Sequence, residues 1–268
     1  MTAFLSVCLI LALLAILFLW RSCQTRVHAL NNQIENEIQE KQQIISIVSH
    51  DIKSPFTRIS ALEQLITMDD NKLSSSQQDY LNKIHQVVAD GLSLIRNLVD
   101  YRNLEYRRIE IIPEPIDLSQ LTLAAVRRVQ TLGEKKELVF NCDIEPDILI
   151  TSDNSFVNRA IDNVLSNAIK FSTNSKTIEV SLKRENGHNF IKVKDEAEGF
   201  TAEDMKNLFR KFQRFSAKPT AGESTTGLGL YITKSMLDKI GGKIQCVTKE
   251  GAGSTFIIDL PTQLPVKN

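Results

Sequence analysis

Three stretches of different periodicity predict a chain of three parts: an N-terminal transmembrane helix, an α-helical hairpin that forms a dimeric four-helix bundle, and a C-terminal α+β two-layer sandwich. The first stretch is Ala3–Trp20, an 18-residue run in which Ser6 is the only clearly polar member. The second carries isoleucine at positions 38, 45, 52, 59 and 66, a heptad spacing. The third begins near residue 105, where heptads give way to short alternating runs separated by Gly, Pro and Asn. The expected boundaries are 1–21 for the span, 22–43 for a helical linker, 44–104 for the hairpin, 105–262 for the α+β domain and 263–268 for a tail.

The apolar run reaches about 27 Å as a helix, close to the hydrocarbon thickness of a bilayer. A cleaved signal peptide and a buried core helix are the competing readings. A signal peptide wants a positive start and a small-residue cleavage site, whereas this run begins Met1-Thr2-Ala3-Phe4 and ends Leu19-Trp20-Arg21. Trp20 suits the interface, and Arg21, Arg26 and His28 place the rest of the chain in the cytoplasm by the positive-inside rule. With 32 basic and 32 acidic residues the net charge is zero, which argues against nucleic acid as the main partner. Cys8, Cys23, Cys142 and Cys246 are scattered, without metal-ligand spacing or a disulfide framework.

The linker runs without a breaker into the heptad helix, where Ile34, Val48 and Leu62 take the second seam position. His50 then lies on the solvated side, within Ser49-His50-Asp51-Ile52-Lys53-Ser54-Pro55. Histidine is the side chain that titrates near neutral pH, and Asp51 beside it can orient the ring or take its proton. Pro55 removes one helical hydrogen bond and predicts a bend just after the histidine. Alone, the pair also reads as an ordinary surface His-Asp. The turn comes at Asp69–Ser76, and the second helix carries Leu81, Ile84, Val88, Ile95 and Leu98 on its seam. A hairpin with one apolar stripe per helix cannot bury both stripes by itself, which predicts either dimerisation into four helices or burial against another domain.

In the third part, Arg108–Ile112 reads as a strand and Pro113-Glu114-Pro115 as a break. A helix at Leu118–Leu132 follows, then strands at Leu138–Ile144 and Ile148–Thr151. Asp153 caps a helix from Ser155 to Phe171, and strands Thr177–Arg184 and Asn189–Lys194 flank an Asn186-Gly187 turn. A helix over Gly227–Ile240 and strands Lys243–Thr248 and Ser254–Leu260 complete the domain, with helices expected on one face of the sheet.

Asn163, Asn167 and Lys170 share one face of their helix, so two amides and an ammonium project together. Amide oxygens suit Mg²⁺, and lysine supplies a point charge for phosphate. Asp195 ends a strand before Glu196-Ala197-Glu198-Gly199-Phe200, where it can accept the amine of adenine while Gly199 lets backbone approach a ring. Thr226-Gly227-Leu228-Gly229-Leu230 opens a helix with free amides, a cradle for phosphate that is neither a Walker loop nor a dinucleotide fingerprint. Each stretch alone also reads as an ordinary solvated face or turn.

In this order the motifs resemble those of a sensor histidine kinase of the two-component type, over about residues 28–262. The His50 stretch is similar to the H box and the Asn163–Lys170 helix to the N box. Asp195–Phe200 is similar to the G1 box, Leu208–Arg214 to the F box, and Thr226–Leu230 to the G2 box. The resemblance implies a HisKA-like dimerisation and phosphotransfer domain joined to an ATP-binding domain of Bergerat (GHKL) fold. It further implies that His50 accepts the γ-phosphoryl of ATP with Asp51 as acid/base, and that Ser54 bears on phosphatase activity. Asn167, assisted by Asn163, would hold Mg²⁺; Asp195 and Gly199 would receive adenine; Lys170, Arg214 and residues Thr226 to Leu230 would contact phosphate. The implied setting is a homodimer in the bacterial inner membrane, single-pass, with its catalytic part cytoplasmic and a response regulator receiver domain as partner. Ala197 and Thr225 stand where the family has glycine, and Ser54 where it has threonine or asparagine. A degenerate nucleotide-binding scaffold that regulates another kinase is the alternative. Another ATPase of this nucleotide fold would leave the His50 hairpin without a reason.

Overall fold

The computed structural model describes residues 17, 20, 21, 23, 24, 27, 52–64, 66, 73–106, 110–134, 136–213, 215–217, 219, 220 and 226–264. It divides into one unit of Met1–His50 and a second of Asp51–Asn268. In the first, Leu17, Trp20, Arg21, Cys23, Gln24 and Val27 are helical. Among the described residues no helix is long and apolar enough to cross a membrane, and most of the Ala3–Trp20 run lies outside them.

The second unit opens with a helix over residues 52–64, here α1, which continues through Pro55. Helix α2 (Ser75–Tyr106) runs antiparallel to it. Glu63 meets His85 at 3.1 Å, and the Phe56 ring packs where Gly91 leaves room: a Cβ on Gly91 would sit 2.7 Å from it. Leu81, Val88 and Ile95, seven residues apart, are buried in this pairing. Ile52, Ile59, Leu62 and Ile66 on one helix and Ile84 and Val87 on the other stay exposed within a single chain. The hairpin thus carries an uncovered apolar face, which includes the expected seam residues Ile52, Ile59, Leu62, Ile66 and Ile84, as well as a filled one.

Among the described residues the first strand after the hairpin is β1 (Glu114–Asp117); of the expected strand Arg108–Ile112, residues 110–112 are not in a strand, and Arg108 and Ile109 lie outside the described residues. The Pro113-Glu114-Pro115 stretch expected to break the chain instead enters a two-stranded antiparallel ribbon, Pro115 opposite Thr151 of β3 (Leu149–Ser152). An edge position tolerates proline because its missing N–H is not required there. Between them lie α3 (Leu118–Glu134) and β2 (Val139–Ile144). Helix α4 (Asn154–Phe171) follows, with Asp153 accepting the Phe156 N–H at 3.1 Å as its cap.

The main sheet has five strands in the order β2-β4-β5-β7-β6, where β4 is Thr177–Glu185, β5 His188–Asp195, β6 Lys243–Thr248 and β7 Ser254–Pro261. Only the β2-β4 pair is parallel; it is joined through α4, as a crossover requires. Ile178, Val180 and Leu182 of β4, Ile191 and Val193 of β5, and Phe256, Ile258 and Leu260 of β7 alternate inward and are buried. Helices α3, α4 and α6 (Gly229–Lys239) cover that one face. Helix α4 lies at the centre: Val157, Ile161, Val164 and Leu165 are fully buried, each worth about 1.5–3 kcal/mol relative to exposure. With one stripe committed to the core, its polar stripe is presented to a cavity. A short helix α5 (Ala202–Asn207), absent from the expected elements, is held by a reciprocal Thr201–Asp204 capping box. The last helix begins at Gly229, so Gly227 precedes it rather than starting it.

Candidate functional site

The polar stripe of α4 borders a cavity of about 530 Å³. Asn163, Asn167, Lys170, Asp195, Gly199, Thr226, Gly227, Gly229 and Leu230 all line it, although they come from two helices, a strand end and two loops. Leu228, between the glycines, points into the core instead and is buried. Ser54 is exposed on α1. His50, Asp51, Arg214 and Thr225 lie outside the described residues.

At the strand end of the cavity, Asp195 is buried, and its Oδ1 accepts the N–H groups of Ala197 at 3.0 Å and Ser254 at 3.1 Å. One oxygen is thereby fixed by backbone, and the other is left for a donor entering the cavity. Burial pushes the carboxyl above its ordinary range, and the two backbone donors only partly oppose this. Ala197 needs no left-handed backbone: that conformation falls on Gly199, at φ +73°, where a Cβ would sit 2.6 Å from the Lys249 carbonyl. Phe200 and Phe256, tilted edge-to-face, add an apolar wall.

The helix end is built differently. Asn163 Nδ2 donates to Thr233 Oγ1 at 2.7 Å, and that hydroxyl gives its own proton to the Gly229 carbonyl at 3.0 Å. The amide of Asn163 is thus oriented with Oδ1 free, and only a glycine fits against it, since a Cβ at Gly229 would come within 2.7 Å. Helices α2, α3, α4 and α5 each begin with a side-chain cap, from Ser74, Asp117, Asp153 and Thr201. Helix α6 begins on Leu228 with no side-chain cap. Its first amides therefore lack the partner that the other helices have, which suits an anion at the positive end of a helix dipole. The oriented amide oxygen of Asn163, the neighbouring amide of Asn167, an ammonium and an uncapped helix start form a donor set that fits a polyphosphate with a hard cation.

Several lining residues had no signal in the sequence. Arg96 and Asn97 of α2 border the helix end of the cavity. Asn97 donates to Thr226 at 3.3 Å and accepts from Arg159 of α4 at 2.7 Å, while Arg159 also bonds Asp100 at 3.1 Å. Burial raises the Asp100 carboxyl, with Arg159 pulling the other way. Further along α2, Glu105 accepts from Lys211 at 2.7 Å and from the Tyr231 hydroxyl. Tyr101 packs on Phe212 and Tyr231, with the Lys211 ammonium over both tyrosine rings. These contacts join positions up to 129 residues apart, and no local pattern marks them.

Fold and site together define a nucleotide-type cavity on an α+β layer beside a helical hairpin. Residues 152–264 match the family of histidine kinase-, DNA gyrase B- and HSP90-like ATPases, and residues 40–107 match the His Kinase A phospho-acceptor domain. The chain thus joins a phospho-acceptor domain to an ATP-binding domain, the pair carried by many sensor histidine kinases, and by that pair it belongs with them. It is similar to the circadian input-output histidine kinase CikA of Synechococcus elongatus, 25% identical over 263 residues, covering 91% of this chain and 35% of that protein. It is also similar to the heme sensor protein HssS of Staphylococcus saprophyticus, 27% identical over 218 residues, covering 81% of this chain and 46% of the relative. The chain thus spans less than half the length of either. Among solved structures, full-length ShkA in complex with AMPPNP aligns with a TM-score of 0.64 at 20% identity, over 84% of this chain and 47% of that one. The Acinetobacter baumannii histidine kinase AdeS aligns at 0.55 and 20% identity, over 80% and 98%. At these identities the likeness is one of fold.

Proposed function

We propose that the chain is a membrane-bound sensor histidine kinase that autophosphorylates on His50 from ATP and passes the phosphoryl group to an aspartate of a response regulator receiver domain. The observation that carries this reading is the convergence of Asn163, Asn167, Lys170, Asp195 and the uncapped start of α6 on one cavity bordered by α2 of the phospho-acceptor hairpin. Asp195, through its free oxygen, accepts the purine amine. Lys170 and the first amides of α6 hold the triphosphate. Asn163 and Asn167 would hold Mg²⁺, which neutralises phosphate charge when bound. A ring nitrogen of His50 bonds to the γ-phosphorus as the bond to the β,γ-bridging oxygen breaks and ADP departs; Asp51 takes the imidazole proton. Arg214 and the backbone of Gly227 to Leu230 complete the phosphate contacts, and Ser54, four residues beyond His50 in the position that bears on phosphatase activity, keeps a hydroxyl where the family has threonine or asparagine.

The exposed Ile52, Ile59, Ile66, Ile84 and Val87 support a homodimer in which two hairpins form four helices. The apolar run Ala3–Trp20 with Arg21 after it supports a single inner-membrane span and a cytoplasmic catalytic part. Domain limits of 1–21, 22–43, 44–104, 105–262 and 263–268 accord with these roles. The second reading, a nucleotide-binding scaffold that regulates another kinase, draws on Ala197 and Thr225 in place of glycine. The full chain in lipid nanodiscs is incubated with γ-labelled ATP and Mg²⁺. Acid-labile label that disappears in His50→Ala is expected; nucleotide binding without label at saturation would sink the kinase reading and leave the scaffold.

A further inference from the structure

Lys136 stands in the turn between α3 and β2, where a lysine is ordinarily solvated. Here it is buried, 8% exposed. Its Nζ donates to the carbonyls of Ile169 at 2.9 Å and Lys170 at 3.3 Å, in the last turn of α4, and to Thr220 Oγ1 at 2.8 Å. Thr220 is itself fastened to the same helix end: its N–H donates to the Lys170 carbonyl at 3.0 Å and its hydroxyl to the Ser172 carbonyl at 2.8 Å. The final carbonyls of a helix lack partners within it and carry the negative end of its dipole, so a buried ammonium is well matched there. The two structures it joins, the end of α4 with Lys170 and the segment with Ala217 and Pro219, are both walls of the cavity.

We propose that Lys136 is a positioning residue for the triphosphate. It touches no substrate atom; it clamps the end of α4 to the Pro219–Thr220 segment, so that the Lys170 ammonium and the facing wall keep their separation when several negative charges enter between them. A general contribution to folding would affect every ligand of the cavity alike. A clamp at this place acts on phosphate and spares the purine, whose acceptor Asp195 is held by Ala197 and Ser254 on other elements.

This inference rests on the nucleotide reading of the cavity, and its test separates the two. Full chains of wild type, Lys136→Met and Thr220→Val are compared by calorimetric titration with Mg·ADP and with adenosine, after thermal melting has confirmed folding. Lys136→Met is expected to bind Mg·ADP roughly 10- to 30-fold more weakly with adenosine affinity changed less than about threefold. Thr220→Val, which keeps the ammonium on the α4 carbonyls, should show the same split at a few-fold, and decides the matter if the methionine variant does not fold. Equal losses for both ligands, or unchanged Mg·ADP affinity in a folded variant, overturn the clamp while leaving the nucleotide reading intact. A wild type that binds neither ligand overturns that reading itself.

Discussion

The two ends of the cavity are built on opposite plans. At the strand end, Asp195 is buried and its partners are backbone amides of neighbouring segments, so its geometry follows once the sheet is formed. At the helix end the groups are side chains on half-buried helix faces, held by one another, by Lys136 and by α2. The first is therefore as stable as the core, and the second depends on how loops and the hairpin sit. Under the proposed kinase reading, the grip on the base is constant and only the phosphate end is open to outside influence.

The strongest way to break the contrast is at the helix end. Asn167→Ala is expected to lower the rate of labelling by roughly 10²–10³-fold, the scale for losing one preorganised electrostatic partner, with little change in melting temperature. Next comes Asp195→Asn. A carboxyl raised by burial adds stability only below its ordinary pKa and loses that contribution as pH rises through the raised value, so at neutral pH the charge is a net cost. The variant should keep or slightly gain stability at pH 7 in urea melts. It should bind ATP about ten- to a hundredfold more weakly, since a hydrogen bond to a charged group is worth about 1.5–3 kcal/mol.

Arg159→Ala sharpens the comparison from the hairpin side. It removes the guanidinium from the Asp100 carboxylate and from Asn97 Oδ1 on a half-buried surface, and a loss of about 1–2 kcal/mol in denaturant unfolding is expected. The smallest effect is at Glu105. Burial acts to raise its carboxyl, but the hydrogen bonds from Lys211 and Tyr231 outweigh this and hold it below its ordinary value. Its contribution is thus complete above the ordinary carboxylate pKa and lost as pH falls through the lowered one. Lys211 is raised by the same pair, so its contribution is lost only as pH rises through that raised value in strong alkali. Glu105→Gln should lower stability slightly and evenly from pH 6 to 9, and the gap from wild type should close near pH 3.

How much of this was legible in the sequence depended on how local the signal was. Asn163, Asn167 and Lys170 are one helix face, and Asp195 precedes a glycine turn; both are readable within eight residues. The short α5 has no apolar periodicity to mark it, and its one local signal is the Thr201–Asp204 capping box at its start. The proline-flanked β1 reads as a break in the sequence, yet the rule against proline in strands is weakest at an edge. Lys136 and the Asn97–Arg159–Asp100 network were invisible for another reason. Their meaning is burial and proximity across 33 to 129 residues, which no periodicity encodes.

The bond from Asn97 to Thr226 also bears on biosynthesis. Its partners are 129 residues apart, and at roughly 5–20 residues per second of translation the second emerges on the order of ten seconds after the first. The phospho-acceptor helices leave the ribosome well before the loop that completes the donor site. On the proposed dimer and kinase readings, a nascent chain has time to find its second hairpin before it owns anything with which to phosphorylate it, and assembly precedes activity by the order of the genetic message alone.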